Sequence, residues 1–118
     1  MASASETGTG RPVDAIIAPT VNSASCYHNR NDYYGYTKLW NLLDYPVIVM
    51  PITHVDVEKD KAHQLDNAYS PFDQDMWDRY NEKEWEGLPV GLSLIGKRYK
   101  DEELMGLAKC FVNSGAAL

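Results

Sequence analysis

The chain has 118 residues, 44% hydrophobic and 24% charged, with 11 Lys and Arg against 17 Asp and Glu for a net charge of −6. That length supports one small domain with a single core, and the apolar fraction excludes wholesale disorder. Nucleic acid is excluded as a natural partner, because phosphate binding needs a basic stripe and the densest basic cluster, Lys97, Arg98 and Lys100, runs at once into Asp101, Glu102 and Glu103.

Residues 1–12 read as a flexible polar leader without the apolar region of a secretory signal, and the longest apolar run, residues 47–52, is too short to span a bilayer. Cys26 and Cys110 form no CxxC pair, and no Asn-x-Ser/Thr acceptor occurs. The expectation is a soluble cytoplasmic protein with reduced thiols and no membrane partner.

Residues 13–18 predict a short buried strand closed by Pro19, followed by a Ser- and Asn-rich loop over 20–31 that carries Cys26 and His28. From Asp32, a candidate N-cap, Tyr33, Tyr36, Trp40 and Leu43 recur at helical spacing and predict about three turns with one aromatic face, ending near Asp44 and Tyr45 because Pro46 follows. Residues 47–52 form a β-branched apolar run that reads as a strand covered on both faces. Residues 53–70 read as a solvated excursion, with Pro71 restarting order.

Residues 75–85 predict one short amphipathic helix with Trp77 and Tyr80 on one side, ending at Gly87. In residues 88–96, Val90, Leu92 and Leu94 alternate with Gly91, Ser93 and Ile95, a strand whose small residues invite close approach by a neighbour. The last element starts at Asp101 as N-cap, buries Leu104, Leu107, Ala108 and Phe111, and stops at Asn113 and Gly115, leaving residues 116–118 frayed. Residues 13–115 are therefore a single α/β domain.

Candidate chemistry is sparse. His28, His54 and His63 do not stand at zinc-ligand spacing to Cys26 or Asp56, and Cys110 reads as partly buried filler on the last helix. Ser23 and Ser25 lie in no GxSxG elbow or glycine-rich serine loop and read as turn serines. The carboxylates at 82–86 and 101–103 are explained by capping and solvation. The aromatic stripe Tyr33, Tyr36 and Trp40 suits a pocket wall, although core packing on the strands explains its spacing more simply.

Three stretches carry a resemblance: Arg11-Pro12-Val13-Asp14-Ala15-Ile16-Ile17-Ala18-Pro19; Gly35-Tyr36-Thr37-Lys38-Leu39-Trp40-Asn41-Leu42-Leu43-Asp44-Tyr45-Pro46; and Gly87-Leu88-Pro89-Val90-Gly91-Leu92-Ser93-Leu94-Ile95-Gly96 followed by Asp101-Glu102-Glu103-Leu104. In this order and with these gaps the chain resembles the C-terminal region of the amidase signature family, in its fungal acetamidase-like branch, over residues 7–113. The resemblance implies a fragment of an α/β/α fold, about three strands of a mixed sheet with two to three packing helices, in which residues 47–52 and 90–95 are adjacent antiparallel strands. It implies hydrolysis of carboxamides to carboxylate and ammonia or amine through a Ser-Ser-Lys triad, with no metal or organic cofactor.

The triad matches no residue here, since the resemblance places the serine-rich signature and the catalytic lysine upstream of Met1; Ser23, Ser25 and Lys38 lie in the wrong segments. The expectation is a truncated amidase-like chain, inactive alone, with Tyr33, Tyr36, Trp40 and Asn41 as the substrate-pocket wall and a small amide as candidate ligand. A strand apolar on both faces would leave a face or edge open, implying self-association or a partner polypeptide, and the alternative is a binding or complementing module that docks there.

Overall fold

The computed structural model describes residues 7–24, 33–63 and 67–115. The elements run β1 (Ile16–Pro19), α1 (Gly35–Leu42), β2 (Val47–His54), α2 (Pro71–Asp78), α3 (Glu82–Trp85), β3 (Pro89–Ile95) and α4 (Asp101–Asn113). The three strands form one antiparallel sheet in the order β1-β3-β2. Ile16 lies opposite Ile95 on one edge of β3, and Val47 lies opposite Ile95 on the other. The expected antiparallel β2–β3 adjacency holds, and among the described residues this small α/β unit has four helices and three strands, both outer strands running antiparallel to β3.

Of the three prolines within strands, Pro19 and Pro51 fall on the outer strands, where a missing N–H costs the ladder least, and Pro89 is the first residue of the central strand. Pro19, expected to close β1, is its last paired residue, and β1 starts at Ile16 rather than residue 13. After Pro51 the β2–β3 register slips, with Pro51 opposite Gly91 and Thr53 opposite Val90, so Ile52 is the extra residue of a bulge. The ladder resumes beyond it to His54, and the Val55 N–H donates to the Leu88 carbonyl at 3.0 Å. β2 is thus longer than its apolar run, because backbone pairing continues where hydropathy stops.

One face of the sheet is built from Ile48, Met50 and Leu94, and α4 lies on it with Leu104 buried at 2% exposure and Leu107, Ala108 and Phe111 packed alongside. The close approach depends on Gly96, where a Cβ would stand 3.1 Å from Leu104. On the opposite face Ser93 is buried and its hydroxyl is 3.0 Å from that of Thr20, which satisfies both. Val49, on that same face, is 53% exposed, so β2 is not covered on both faces as its apolar run suggested. An apolar run reports the absence of polar groups; it does not supply a covering layer.

Helix ends follow local chemistry. α1 stops in a Schellman arrangement, with Asp44 at φ 56° and the amides of Asp44 and Tyr45 donating to the carbonyls of Asn41 and Trp40. It begins at Gly35 after Tyr34, with no side-chain cap; Asp32, the expected cap, and Cys26 and His28 lie outside the described residues. No residue of α1 is buried, so its aromatic stripe does not pack into the core: Tyr33 meets Phe72, and Trp40 stacks on Tyr45.

The single helix expected over residues 75–85 is two. Ser70 caps α2 by accepting from the Asp73 amide with Pro71 in the first turn, and Asn81 starts α3 by accepting from the Lys83 amide. α4 is capped by Lys100 without a side-chain bond, and Asp101 is its first helical residue, placed with Glu102 and Glu103 at the positive end of the helix dipole. Gly115, at φ 76°, ends it; residues 116–118 lie outside the described residues. Cys110 is exposed rather than partly buried. Among the described residues no helix is long and apolar enough to cross a membrane.

Leu104→Ala is expected to cost about 3 kcal/mol, since it opens a cavity in the core. Met105→Ala, at a position 62% exposed on the same helix, should stay within about 0.5 kcal/mol of the parent. Urea unfolding midpoints of the two variants check the difference.

Candidate functional site

Away from the α4 layer, a cavity of about 640 Å³ is bounded by four separate stretches of chain. Asn22, Ser23 and Ala24 come from the segment after β1, Tyr33 and Tyr36 from the start of α1, and Lys59, Asp60, Lys61 and His63 from the segment after β2. Phe72, Asp73, Met76 and Trp77 of α2, with Tyr80 and Trp85, complete it. Apolar and aromatic walls with a few polar groups are the usual composition of a small-molecule site.

The rings pack against one another. Tyr33 is edge-on to Tyr36 at 5.7 Å and tilted over Phe72 at 5.3 Å, His63 meets Trp77 edge-on at 4.7 Å, and Tyr80 meets Trp85 edge-on at 5.4 Å. The Tyr80 hydroxyl donates to the Asp60 carbonyl at 2.5 Å, tying the segment after β2 to the turn between α2 and α3. Burial, then the charges of Asp60 and Glu82, push the Tyr80 phenol up, so it stays a neutral donor.

The charged rim is held by local pairs. Asp56 lies 2.7 Å from Lys59 and accepts from the Glu58 amide, while the Asp60 carboxylate accepts from the Asp56 amide at 2.9 Å. The Lys59 hydrogen bond and the Glu58 amide hold the Asp56 carboxyl below its ordinary range, and the Asp56 hydrogen bond raises Lys59. A lysine serving as a base needs the opposite shift, which comes from burial or a neighbouring cation. Among the described residues no cluster of three His, Cys, Asp or Glu is placed to hold a metal.

Of the four residues expected to form the pocket wall, Tyr33 and Tyr36 line the cavity. Trp40 and Asn41, one turn further along α1, are not among its lining residues: Trp40 stacks on Tyr45 with Nε1 buried and without a partner among the described residues, and Asn41 is exposed. The sequence assigns Trp77 and Tyr80 to one side of a short amphipathic helix and His63 to a loop, and gives Phe72, Met76 and Trp85 no site role. The available signal is the aromatic density of residues 72–85, which hold Phe72, Trp77, Tyr80 and Trp85.

The sequence model of the Amidase family matches residues 3–105. The acetamidases of Aspergillus oryzae and Emericella nidulans are each 35% identical over 104 residues, covering 88% of this chain and 19% of theirs. A putative amidase of Schizosaccharomyces pombe is 38% identical over 96 residues, covering 79% of this chain and 17% of its own. Among solved structures, fatty acid amide hydrolase superposes with a TM-score of 0.74 at 37% identity, over 86% of this chain and 18% of that one. The chain spans about a fifth of the length of the relatives it matches.

Acidification is expected to loosen the rim. The Asp56 pKa is depressed on folding, so its contribution is full above the ordinary carboxylate pKa of about 3.9 and is lost as pH falls through the lower folded value. Hydrogen-exchange protection factors of the Asp56 and Glu58 amides should fall below about pH 4 while those of β3 persist. Separately, Tyr80→Phe should cost about 1 kcal/mol or less in thermal unfolding, through loss of the hydroxyl's bond to Asp60.

Proposed function

The chain belongs to the amidase family, and from that premise we propose that it is the pocket-forming, non-catalytic part of a carboxamide hydrolase. In this reading the chemistry of the family, amide cleavage to carboxylate and ammonia or amine by an activated serine, is performed by residues other than those of this chain. The sheet and α4 serve as scaffold, and the aromatic cavity faces the substrate.

The observation that carries this reading is the state of the cavity's lysines. Lys59 is held cationic by Asp56, and Lys61 lies 3.4 Å from Glu58. A protonated amine paired to a carboxylate cannot accept the proton of a serine hydroxyl, so Lys59 does not supply the lysine base of the family chemistry.

Exposed apolar residues favour a second reading, in which the chain docks onto a polypeptide bearing the rest of an amidase fold. Leu42 is 82% exposed, and Ile17 and Val49 are more than half exposed on the two outer strands. Apolar surface on sheet edges and faces draws a partner strand or a second copy. Co-expression with an amidase portion lacking this region should yield a co-purifying complex; two independently behaving chains would remove this reading.

The deciding assay for the first reading is ammonia release from acetamide and benzamide by the purified 118-residue chain. The expected result is no turnover above a heat-inactivated control. Turnover abolished by a substitution within the chain would overturn it.

A further inference from the structure

The cavity is far larger than the smallest carboxamides require. At about 640 Å³ it falls within the range of about 300–1,000 Å³ typical of sites for drug-sized ligands. Acetamide would leave most of that space to water, with its polar end fixed and little apolar surface buried.

We propose that the cavity binds a neutral carboxamide whose amide is joined through a short apolar stem to an aromatic ring. The proposal rests on reading the cavity as the substrate side of an amide hydrolase. Two ring pairs form its aromatic walls: Tyr33 tilted over Phe72, with centroids 5.3 Å apart at 35°, and His63 edge-on to Trp77 at 4.7 Å and 72°. All four rings line the cavity, and aromatic side chains hold a planar ligand ring by offset-stacked and edge-to-face contacts.

Charge sets the second criterion. Lys59 and Lys61 line the cavity together with Asp60 and Asp73, so the two signs balance. Each lysine also has a carboxylate outside the lining, Asp56 at 2.7 Å and Glu58 at 3.4 Å. An anionic ligand would have to displace one of these pairs, whereas a neutral amide finds the hydrogen-bonding side chains of Asn22 and Ser23 on the segment after β1.

The third criterion is the placement of Tyr33, which depends on residue 35. A Cβ at Gly35 would clash with the Tyr33 hydroxyl and ring, so the ring lies across a position that only glycine leaves open. Gly35→Ala therefore moves one aromatic wall without touching the core, and alanine favours the helix that begins there.

Calorimetric titration of the purified chain with phenylbutyramide, butyramide and phenylbutyrate tests the proposal. Phenylbutyramide is expected to bind about tenfold or more tightly than either of the others, from the added ring area buried and the absence of charge. Phe72→Ala, at a partly exposed position, and Gly35→Ala should each weaken that binding several-fold while the thermal midpoint of Gly35→Ala stays at or above the parent value. The proposal is overturned if phenylbutyramide does not bind, if butyramide or phenylbutyrate binds as tightly, or if both variants retain parental affinity. These outcomes separate from the ammonia assay: turnover by the chain would overturn the non-catalytic reading and leave a ring preference standing, and loss of the ring preference would leave that reading untouched.

Discussion

Strand β3 is hydrogen-bonded on both edges, and the other elements of the core are placed by it. Its partners β1 and β2 are separated from it by long stretches of chain, so neither can form until the C-terminal third of the sequence is in place. The same strand presents Leu94 to α4 on one face and Ser93 to Thr20 on the other. Directly after it, Gly96 permits the backbone to come against Leu104, which seats α4 over Met50. Removing a methylene-rich side chain from this junction weakens contacts to both β2 and α4 at once.

The cavity is organised on a different principle. No regular sheet or long helix frames it; short segments are held by local devices, each satisfying backbone groups that would otherwise be left open. Ser70 and Asn81 cap the two short helices, the Asp56 and Asp60 carboxylates accept from amides of their own turn, and the Tyr80 hydroxyl joins that turn to the α2–α3 corner. Aromatic rings supply the contacts between segments. Such an arrangement has a specific shape but a low cost of local opening.

The match to amidases covers most of this chain and about a fifth of each relative, and apolar surface is unevenly distributed over the described residues. The α4 face is closed, whereas Val49, Ile17 and the Leu39, Leu42 and Leu43 side of α1 are open. In a small unit with six buried apolar side chains among its described residues, that open surface is a large part of the apolar total. Scaffold and substrate wall are the roles proposed for such a unit.

The sequence by itself determined the elements whose signals are local. Helix α4, with its acidic first turn, apolar stripe and Gly115 stop, and strand β3, with alternation interrupted by glycine, were legible because capping, dipole and side-chain period act within a few residues. The family phrases were legible for the same reason, as contiguous words. The break between α2 and α3 was written in Ser70, Pro71 and Asn81, but the continuous polar-aromatic pattern across residues 75–85 masks it.

What tertiary structure decided was which surfaces meet. A helical aromatic stripe has the same spacing whether it enters a core or lines a cavity, so Tyr33 and Tyr36 could be identified as one face but not assigned to Phe72 and Trp77 of a segment more than thirty residues away. Likewise, the hydropathy of residues 47–52 marked a strand without stating how many of its faces would be covered. Periodicity is a property of one element, whereas burial belongs to a pair, and only the folded chain brings the pairs together.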